Sequence, residues 1–163
     1  MFTIIFPVLN ERLRLESGVT RTVEYLQSIA FEDYEIIIVD NGSEDETPQI
    51  AENLCKKYDK VKYERINVRG VGAAFRRGVE VSHGDVVGYM DIDLSTNIRH
   101  LGEAIHLFGT QPEIQYINGS RFARESDTRG RKWYRRITSQ GLLILLKLFL
   151  RMKSTCLLYT SPS

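Results

Sequence analysis

The sequence predicts an α/β protein with a mostly parallel sheet flanked by helices, on two observations. Short apolar runs rich in β-branched residues alternate with longer segments whose apolar residues recur at helical spacing. One run, YEIIIVD at 34–40, is apolar almost throughout, as is typical of a strand buried on both faces of a parallel sheet. The chain has 163 residues, of which 42% are hydrophobic, so it has enough apolar material for one domain core.

Nine elements are predicted, in the order βαβαβαβαβ, which indicates parallel strands joined by helical crossovers. The predicted strands are 2–6, 34–40, 61–66, 85–90 and 114–118. The predicted helices are 17–30, 48–58, 71–82 and 98–109. From residue 120, a charged loop leads into an apolar helix at about 137–152.

Acidic residues follow three of the predicted strands. Glu11 lies beyond the first strand, Asp40 ends the second, and Asp91 and Asp93 follow the fourth. The carboxyl ends of parallel strands form one edge of a sheet, and ligands of open α/β sheets bind at that edge. We therefore expect four carboxylates to converge there.

Asp91 and Asp93 are two residues apart, so both side chains can leave the strand end in the same direction. Their mutual repulsion would be removed by a hard cation such as Mg²⁺ or Mn²⁺, which leaves coordination positions for phosphate oxygens. The alternative is that the two aspartates only cover a strand end while residues 95–97 cap the next helix. Because Glu11 and Asp40 are expected nearby, we favour the interpretation as a metal site over that of a covered strand end.

Three segments resemble the motifs of glycosyltransferase family 2. FPVLNE (6–11) resembles its Pro-x-x-Asn-Glu opening, IIIVDNGSEDET (36–47) its Val-Asp-Asp-Gly-Ser segment, and MDIDLST (90–96) its Asp-x-Asp motif. INGSR (117–121) resembles the Gly-Ser-Arg of the polyprenyl-phosphate branch, which includes dolichyl-phosphate mannose and glucose synthases. The resemblance covers about residues 2–153.

The resemblance implies a GT-A fold, which is a Rossmann-like, mostly parallel sheet flanked by helices. It implies an inverting, metal-dependent hexosyltransferase that moves a hexose from a nucleotide sugar of the UDP-glucose or GDP-mannose type to a polyprenyl or dolichyl phosphate. The alternatives are a family 2 transferase acting on a sugar hydroxyl in polysaccharide synthesis, and a truncated, inactive nucleotide-binding module. A membrane-binding protein that uses the sheet only as a scaffold is disfavoured by the four carboxylates.

The resemblance also implies roles for individual residues. The expected nucleotide-sugar-binding residues are Pro7, Leu9, Glu11, Asp40, Gly70, Gly72, Asp91, Ile92 and Asp93. The expected catalytic residues are Asp91, Asp93 and Arg121, whose planar guanidinium suits a phosphate clamp. The expected ligands of Mg²⁺ or Mn²⁺ are Asp93, Asp91 and Ser95.

RGVGAAFRRG (69–78) begins like the Gly-x-Gly-x-x-Gly dinucleotide fingerprint, but Phe75 takes the place of the third glycine. A nicotinamide dehydrogenase is therefore not predicted. The stretch resembles the Gly-Lys-Gly-x-Ala segment of family 2, with Val71 in place of the lysine. Asn41 stands where many relatives have a second aspartate, and we assign it no catalytic role.

The net charge of +1 conceals an asymmetry. Residues 1–119 contain 12 Lys/Arg and 19 Asp/Glu, whereas residues 120–153 contain 10 Lys/Arg and 2 Asp/Glu. A basic segment followed by an apolar helix is typical of a helix lying in a membrane interface, and a helix packed on the domain core is an equal alternative. The expected partners are a nucleotide-sugar donor, a polyprenyl-phosphate lipid acceptor and a membrane surface, with no nucleic acid.

The opening residues MFTIIFPVLNE lack the pattern of a secretory signal peptide, which predicts a cytoplasmic protein bound peripherally to the cytoplasmic face of a membrane. Members of this branch continue further than this chain. We therefore expect residues 1–153 to be a catalytic domain that is incomplete at its C-terminus. We expect residues 154–163 to be a non-native or disordered tail.

Overall fold

The computed structural model describes residues 1–95 and 97–117, where four strands alternate with four helices. The strands are β1 (Phe2–Val8), β2 (Tyr34–Asp40), β3 (Val61–Arg65) and β4 (Val86–Tyr89). The helices are α1 (Leu15–Ser28), α2 (Thr47–Lys57), α3 (Val71–Val81) and α4 (Arg99–Thr110). The chain divides into two compact units, Met1–Pro112 and Glu113–Ser163, and all eight elements belong to the first. The predicted alternation is confirmed for these elements.

The four strands form a parallel sheet in the order β3-β2-β1-β4. The chain runs outward from β1 to β3 and then returns to place β4 on the other side of β1. The strand order therefore reverses between β1 and β4. Because crevices at such a reversal bind the ligands of open α/β sheets, this topology locates the candidate site. The predicted α/β fold class is confirmed.

Side chains that alternate along β1 and β2 divide the core between the two faces of the sheet. One face packs under α1, α2 and α4, and its fully buried residues include Ile4, Phe6 and Ile36. The other face lies under α3, where Ile5 and Ile37 pack against Ala74. Burying each such aliphatic side chain contributes about 1.5–3 kcal/mol to folding.

The spacing of the apolar residues explains why α1 forms where it does. Its buried residues follow one stripe of a helix with 3.6 residues per turn, and they are Leu15, Gly18, Val19, Thr22, Val23 and Leu26. Helix α2 begins with proline near its first position and carries Lys56 and Lys57 in its last turn, where cations interact favourably with the helix dipole. Local sequence and burial thus agree in both helices.

The predicted strand at 114–118 is wrong for residues 114–117, which are neither helix nor strand, and residue 118 lies outside the described residues. A strand requires a neighbour with which to form a ladder, and the sheet of the described residues ends at β4. The predicted apolar helix at about 137–152 and the tail at 154–163 also lie outside the described residues. In the described part of the chain, no helix combines the length and the apolar content needed to cross a bilayer.

Candidate functional site

The candidate site lies at the carboxyl edge of the sheet, where β1 and β4 are neighbours. Val8 at the end of β1 is paired with Asp40 at the end of β2, so the loops that follow both strands start at the same level. Strand β4 ends earlier, with Tyr89 paired to Ile5. The Asp-x-Asp segment after β4 therefore lies beside the end of β1.

The loops after β1 and β2 are joined by hydrogen bonds between their motif residues. The Asn10 N–H donates to Ser43 Oγ at 2.9 Å, and the Glu44 N–H donates to Asn10 Oδ1 at 2.9 Å. The Glu11 N–H donates to Thr47 Oγ1 at 2.8 Å. Asn10 has a φ of 55°, a left-handed conformation that asparagine tolerates better than most residues. These contacts fix the two loops as one surface.

Asp40 is fully buried, and both of its carboxylate oxygens accept hydrogen bonds. Oδ1 accepts from the Ser43 N–H at 2.8 Å and from the Ser43 hydroxyl at 2.6 Å, while Oδ2 accepts from the Tyr63 hydroxyl at 2.9 Å. Burial, together with the bond to Asp40, raises the pKa of Tyr63. Asp40 therefore holds the loop after β2. Its expected contact with a base or ribose stays a prediction, and it requires a rearrangement that exposes the carboxylate.

Asn41 is the residue whose importance the sequence interpretation missed. It is 4% exposed and connects two elements: its Nδ2 donates to the Val8 carbonyl at 3.4 Å, and its Oδ1 accepts from the Gly70 N–H at 3.2 Å. In the sequence, Asn41 lies between the last residue of β2 and Gly42, at the start of a turn. This position is the signal that could have revealed its role. Asn41 thus attaches the glycine-containing loop after β3 to the end of β1.

Gly70 at the end of that loop and Gly72 in the first turn of α3 leave space above the backbone. Gly70 has a φ of 148°, which side-chain-bearing residues rarely adopt. Apart from their own chain neighbours, no atom of the described residues lies within 4 Å of the position that a Cβ would occupy on Gly70 or on Gly72. At Gly72, nothing in the described part of the chain explains the absence of a side chain, so the open space is available for a ligand close to the backbone.

Ile92 lies between the two aspartates and anchors their loop. It is 4% exposed and belongs to the main core, whereas Asp91 and Asp93 are exposed. The Tyr89 hydroxyl donates to Asp91 Oδ1 at 2.8 Å, and the Ser95 N–H donates to Asp93 Oδ1 at 2.9 Å. The side chain of Ile92 therefore points away from solvent, so its expected part in nucleotide-sugar binding would have to come from its backbone.

Backbone strain marks the same loop. Leu94 has a φ of 48°, which costs a branched residue about 1–2 kcal/mol. Helix α1 approaches the same loop so closely that a Cβ on Gly18 would lie 2.4 Å from the Ile92 carbonyl oxygen. The Asp-x-Asp loop therefore contains a backbone conformation that is unfavourable for a non-glycine residue. Such strain is common at functional sites.

The other predicted site residues occupy different environments. Pro7 is half-buried within β1, opposite Val39, and Leu9 is 41% exposed just beyond that strand. Ser95 is exposed. The Asn97 side chain accepts from the Arg99 N–H at 3.1 Å, but the N-cap residue of α4 is Ile98, which makes no side-chain cap bond, so the capping role considered for residues 95–97 is not confirmed for Ser95 or Asn97. Arg121 lies outside the described residues.

The family model for glycosyl transferase family 2 matches residues 3–160. The chain belongs to glycosyltransferase family 2.

Three curated relatives agree with this membership. The chain is 36% identical over 153 residues to glycosyltransferase AglD of Haloferax volcanii, covering 91% of this chain and 24% of the relative. It is 30% identical to the dolichol-phosphate mannosyltransferase of Pyrococcus furiosus, covering 88% and 39% of the two chains. It is 32% identical to the dolichyl-phosphate beta-glucosyltransferase of Mus musculus, covering 81% and 44%. The family 2 chain therefore spans less than half the length of these relatives.

Solved structures show that this glycosyltransferase chain has the GT-A fold. Glucosyl-3-phosphoglycerate synthase from Mycobacterium tuberculosis, in complex with Mn²⁺, UDP and glucosyl-3-phosphoglycerate, matches with a TM-score of 0.53 and 23% identity, covering 68% of this chain and 40% of that one. TarS 1–349 of S. aureus in complex with UDP matches with a TM-score of 0.52 and 22% identity, covering 75% and 39%.

The described residues of this family 2 chain contain no group of three or more His, Cys, Asp or Glu side chains that could hold a metal ion. The expected convergence of four carboxylates therefore does not form a metal cage made of protein alone: Asp40 is buried and fully bonded, while Asp91 and Asp93 are exposed. A cation that takes one or two carboxylates and completes its shell with phosphate oxygens fits this arrangement.

Proposed function

We propose that this chain carries the donor-binding half of an inverting hexosyltransferase that moves a hexose from a nucleotide sugar to a polyprenyl phosphate. One structural observation carries the donor site: the exposed Asp91 and Asp93 lie where the strand order reverses, held by the buried Ile92. The lipid-phosphate acceptor is supported by the relatives at 30% and 32% identity, whose names are dolichol-phosphate mannosyltransferase and dolichyl-phosphate beta-glucosyltransferase.

The nucleoside end of the donor would lie against the loops after β1, β2 and β3. Leu9 offers exposed apolar surface for a base, and the open backbone at Gly70 and Gly72 permits a close approach. Glu11 would supply a carboxylate acceptor for base N–H groups and ribose hydroxyls, and Asp40 would do so after a rearrangement that exposes its buried carboxylate. The proposal includes donors of both the UDP-glucose type and the GDP-mannose type.

Asp91, Asp93 and Ser95 are the residues that would hold Mg²⁺ or Mn²⁺ together with the donor diphosphate. When bound, such a cation supplies charge neutralisation for the departing nucleoside diphosphate. Arg121 is proposed to bind phosphate oxygens through its planar guanidinium. Support for a divalent cation comes from the exposed Asp-x-Asp pair and from the chemistry of carboxylate ligands.

The acceptor explains why the site needs no general base. A phosphate monoester has a second pKa of about 6, so it is mostly ionised near neutral pH. One of its oxygens would form a bond to the anomeric carbon while the bond from that carbon to the diphosphate breaks, and the electron pair leaves with the nucleoside diphosphate. Attack from the opposite face converts an α-linked donor into a β-linked product. The protein contributes by holding the two reactants in line.

We further propose that the protein associates peripherally with the cytoplasmic face of a membrane, where a lipid acceptor would be found. Residues 120–153 support this, because their 10 Lys/Arg against 2 Asp/Glu would attract anionic headgroups. Sedimentation with vesicles containing anionic phospholipid tests the proposal. Equal binding to purely zwitterionic vesicles would contradict an electrostatic attraction to anionic headgroups. Absence of binding to both kinds of vesicle would contradict the proposed membrane association.

Calorimetric titration of UDP-glucose, UDP and GDP-mannose, with and without Mn²⁺, tests the donor site. We expect one nucleotide type to bind in a metal-dependent manner and Asp93→Ala to weaken that binding at least about tenfold, as expected for loss of a charged ligand. Asp59→Ala is the matched control, because Asp59 is an exposed acid in the turn before β3, at the opposite edge of the sheet. Failure of the folded wild-type chain to bind any of these nucleotides would refute the donor site.

The acceptor is tested separately, because the chain spans only part of its relatives. Nucleotide sugar with a radiolabelled hexose is incubated with polyprenyl phosphate or with an oligosaccharide, and the lipid phase is counted. Label in the lipid phase supports the proposal, whereas label only in the oligosaccharide supports a transferase acting on a sugar hydroxyl. Binding of donor without transfer to either supports an inactive nucleotide-binding module.

A further inference from the structure

Arg14 lies between two carboxylates that belong to different loops of the site. Its Nε is 3.3 Å from Glu11 Oε2, and its Nη1 is 4.0 Å from Asp93 Oδ2. Glu11 follows β1 and Asp93 follows β4. One guanidinium therefore connects the two strands between which the strand order reverses.

The contact with Glu11 is an ion pair without hydrogen-bond geometry. Glu11 Oε2 is buried and has no hydrogen-bond partner among the residues that the structure describes, although the charged Nε of Arg14 is within ion-pair distance. A buried carboxylate oxygen in this state gains from any nearby positive charge. The Arg14 side chain is 60% exposed, so it has space to change its position without disturbing the core.

We propose that Arg14 is a resident counter-cation, which partly neutralises Asp93 and competes with the divalent metal for that carboxylate. The inference rests on the proposed function, in which Asp93 is a metal ligand. The guanidinium keeps its positive charge at all ordinary pH values, so a dication placed on the same carboxylate is repelled by it. Metal binding would then be accompanied by withdrawal of Arg14 from Asp93 towards Glu11 and solvent.

Arg21 of α1 provides a matched comparison for Arg14, which is the N-cap residue of that helix. It lies two turns further along α1 and lines the same cleft of about 90 Å³, together with Arg14, Asp93 and Leu94. In the part of the chain that the structure describes, the ion pairs of this cleft involve Arg14 and not Arg21. Loss of Arg21 therefore removes the same amount of charge without removing the contact with Asp93.

The test is a titration of Mn²⁺ into the full chain, with free Mn²⁺ followed by electron paramagnetic resonance in the presence and absence of UDP. Arg14→Gln is expected to bind Mn²⁺ about threefold to tenfold more tightly than wild type, and the gain should shrink at high salt. Arg14→Lys, which keeps the charge, is expected to remain close to wild type. Arg21→Gln is expected to leave the affinity unchanged.

Unchanged or weaker Mn²⁺ binding by a folded Arg14→Gln chain overturns the inference, and so does an equal gain in Arg21→Gln. Circular dichroism confirms the fold of each variant, and both Arg14 variants keep the backbone bond from N–H of residue 14 to the Glu11 carbonyl. If wild type binds neither Mn²⁺ nor UDP, the proposed function fails together with this inference. If wild type binds both and only the effect of Arg14 is missing, the inference alone fails.

Discussion

Gly18 of α1 lies against Ile92 so closely that a Cβ on the glycine would be 2.4 Å from the Ile92 carbonyl oxygen and 2.8 Å from its Cδ1. A helix that begins beside the end of β1 thus supports the loop that follows β4. Because Ile92 separates Asp91 from Asp93, this contact determines where both exposed carboxylates lie.

Gly18→Ala is expected to displace the Asp-x-Asp loop. A backbone oxygen cannot rotate away as a flexible side chain can, so we expect overpacking to lower the free energy of unfolding by about 1–3 kcal/mol. Metal-dependent nucleotide binding should weaken as well. Urea denaturation and calorimetric titration measure the two effects.

Gly109→Ala in α4 is the control, because beyond its own helix no atom in the described part of the chain lies within 4 Å of its Cβ position. There we expect no loss of stability and a gain of up to about 1 kcal/mol from helix propensity. Equal stability of Gly18→Ala and wild type would show that α1 does not support the loop.

A second contact, between Asn41 and Gly70, leads to a prediction about the loop after β3. Asn41→Ala removes the acceptor of the Gly70 N–H and the donor to the Val8 carbonyl. We expect a loss of about 0.5–1.5 kcal/mol, the net value of a hydrogen bond, because the Val8 carbonyl keeps its bond from the backbone N–H of residue 41 and the exposed Gly70 N–H can bond to water. Hydrogen exchange at the Gly70 amide should accelerate.

Asn53→Ala is the matched control for this change, since Asn53 is exposed on α2. Asn53→Ala should change the free energy of unfolding by no more than about 0.5 kcal/mol. It should leave the rate of hydrogen exchange at the Gly70 amide unchanged. If the Gly70 amide exchanges equally fast in wild type and Asn41→Ala, the asparagine does not hold this loop.

The sequence predicts most of the fold because local and tertiary signals agree. The bounds of β2 at 34–40 are predicted to the residue, since a continuous β-branched run lies between polar residues. The strand predicted at 114–118 has a shorter pattern, with three apolar residues interrupted by Gln115, and residues 114–117 have no strand partner in the described sheet. Composition reveals which segments favour extended backbone, whereas pairing depends on residues distant in sequence.

The candidate site is predictable only in part, for a similar reason. Motif spacing indicates that Asp40 and Asp91 lie at one edge of the sheet. It does not indicate that Ser43 and Tyr63 occupy both oxygens of Asp40, because those bonds depend on loop conformation. Motif spacing also does not predict the role of Asn41, because its hydrogen-bond partner Gly70 is 29 residues away in the sequence.

A buried carboxylate away from the site leads to a prediction about pH. Burial of Glu35 disfavours its charged form and acts to raise its pKa. Hydrogen bonds from the Lys62 ammonium, the His83 N–H and the Thr3 hydroxyl outweigh this and lower the pKa from 4.5 to about 2. Because the folded-state pKa is lowered, the stabilisation is fully present above pH 4.5 and is lost as the pH falls towards about 2.

The Glu35 carboxylate is only 5% exposed, but its partner Lys62 is 46% exposed, so solvent weakens the ion pair between them. We expect Glu35→Gln to be less stable than wild type at pH 7 and to lose less stability between pH 5 and pH 2. Glu52→Gln, at an exposed position of α2, should keep the wild-type profile. Parallel pH profiles of unfolding for Glu35→Gln and wild type would contradict the assignment.

Gly70 and Gly72 allow a structural effect to be separated from a binding effect. Gly70→Ala places a side chain at a φ of 148°, so we expect a loss of about 1–3 kcal/mol in the free energy of unfolding. Gly72 lies in the first turn of α3 with open space above it, so Gly72→Ala should keep or slightly increase stability.

If the backbone at Gly72 contacts the donor, Gly72→Ala should nevertheless weaken nucleotide binding, because its methyl group would occupy the space left for the ligand. Thermal denaturation and calorimetric titration on the same samples separate the two quantities. Unimpaired nucleotide binding by Gly72→Ala would place the donor away from the first turn of α3. Weak binding accompanied by lowered stability would instead show that the glycine is needed for folding, since the effect would then not be specific to the ligand.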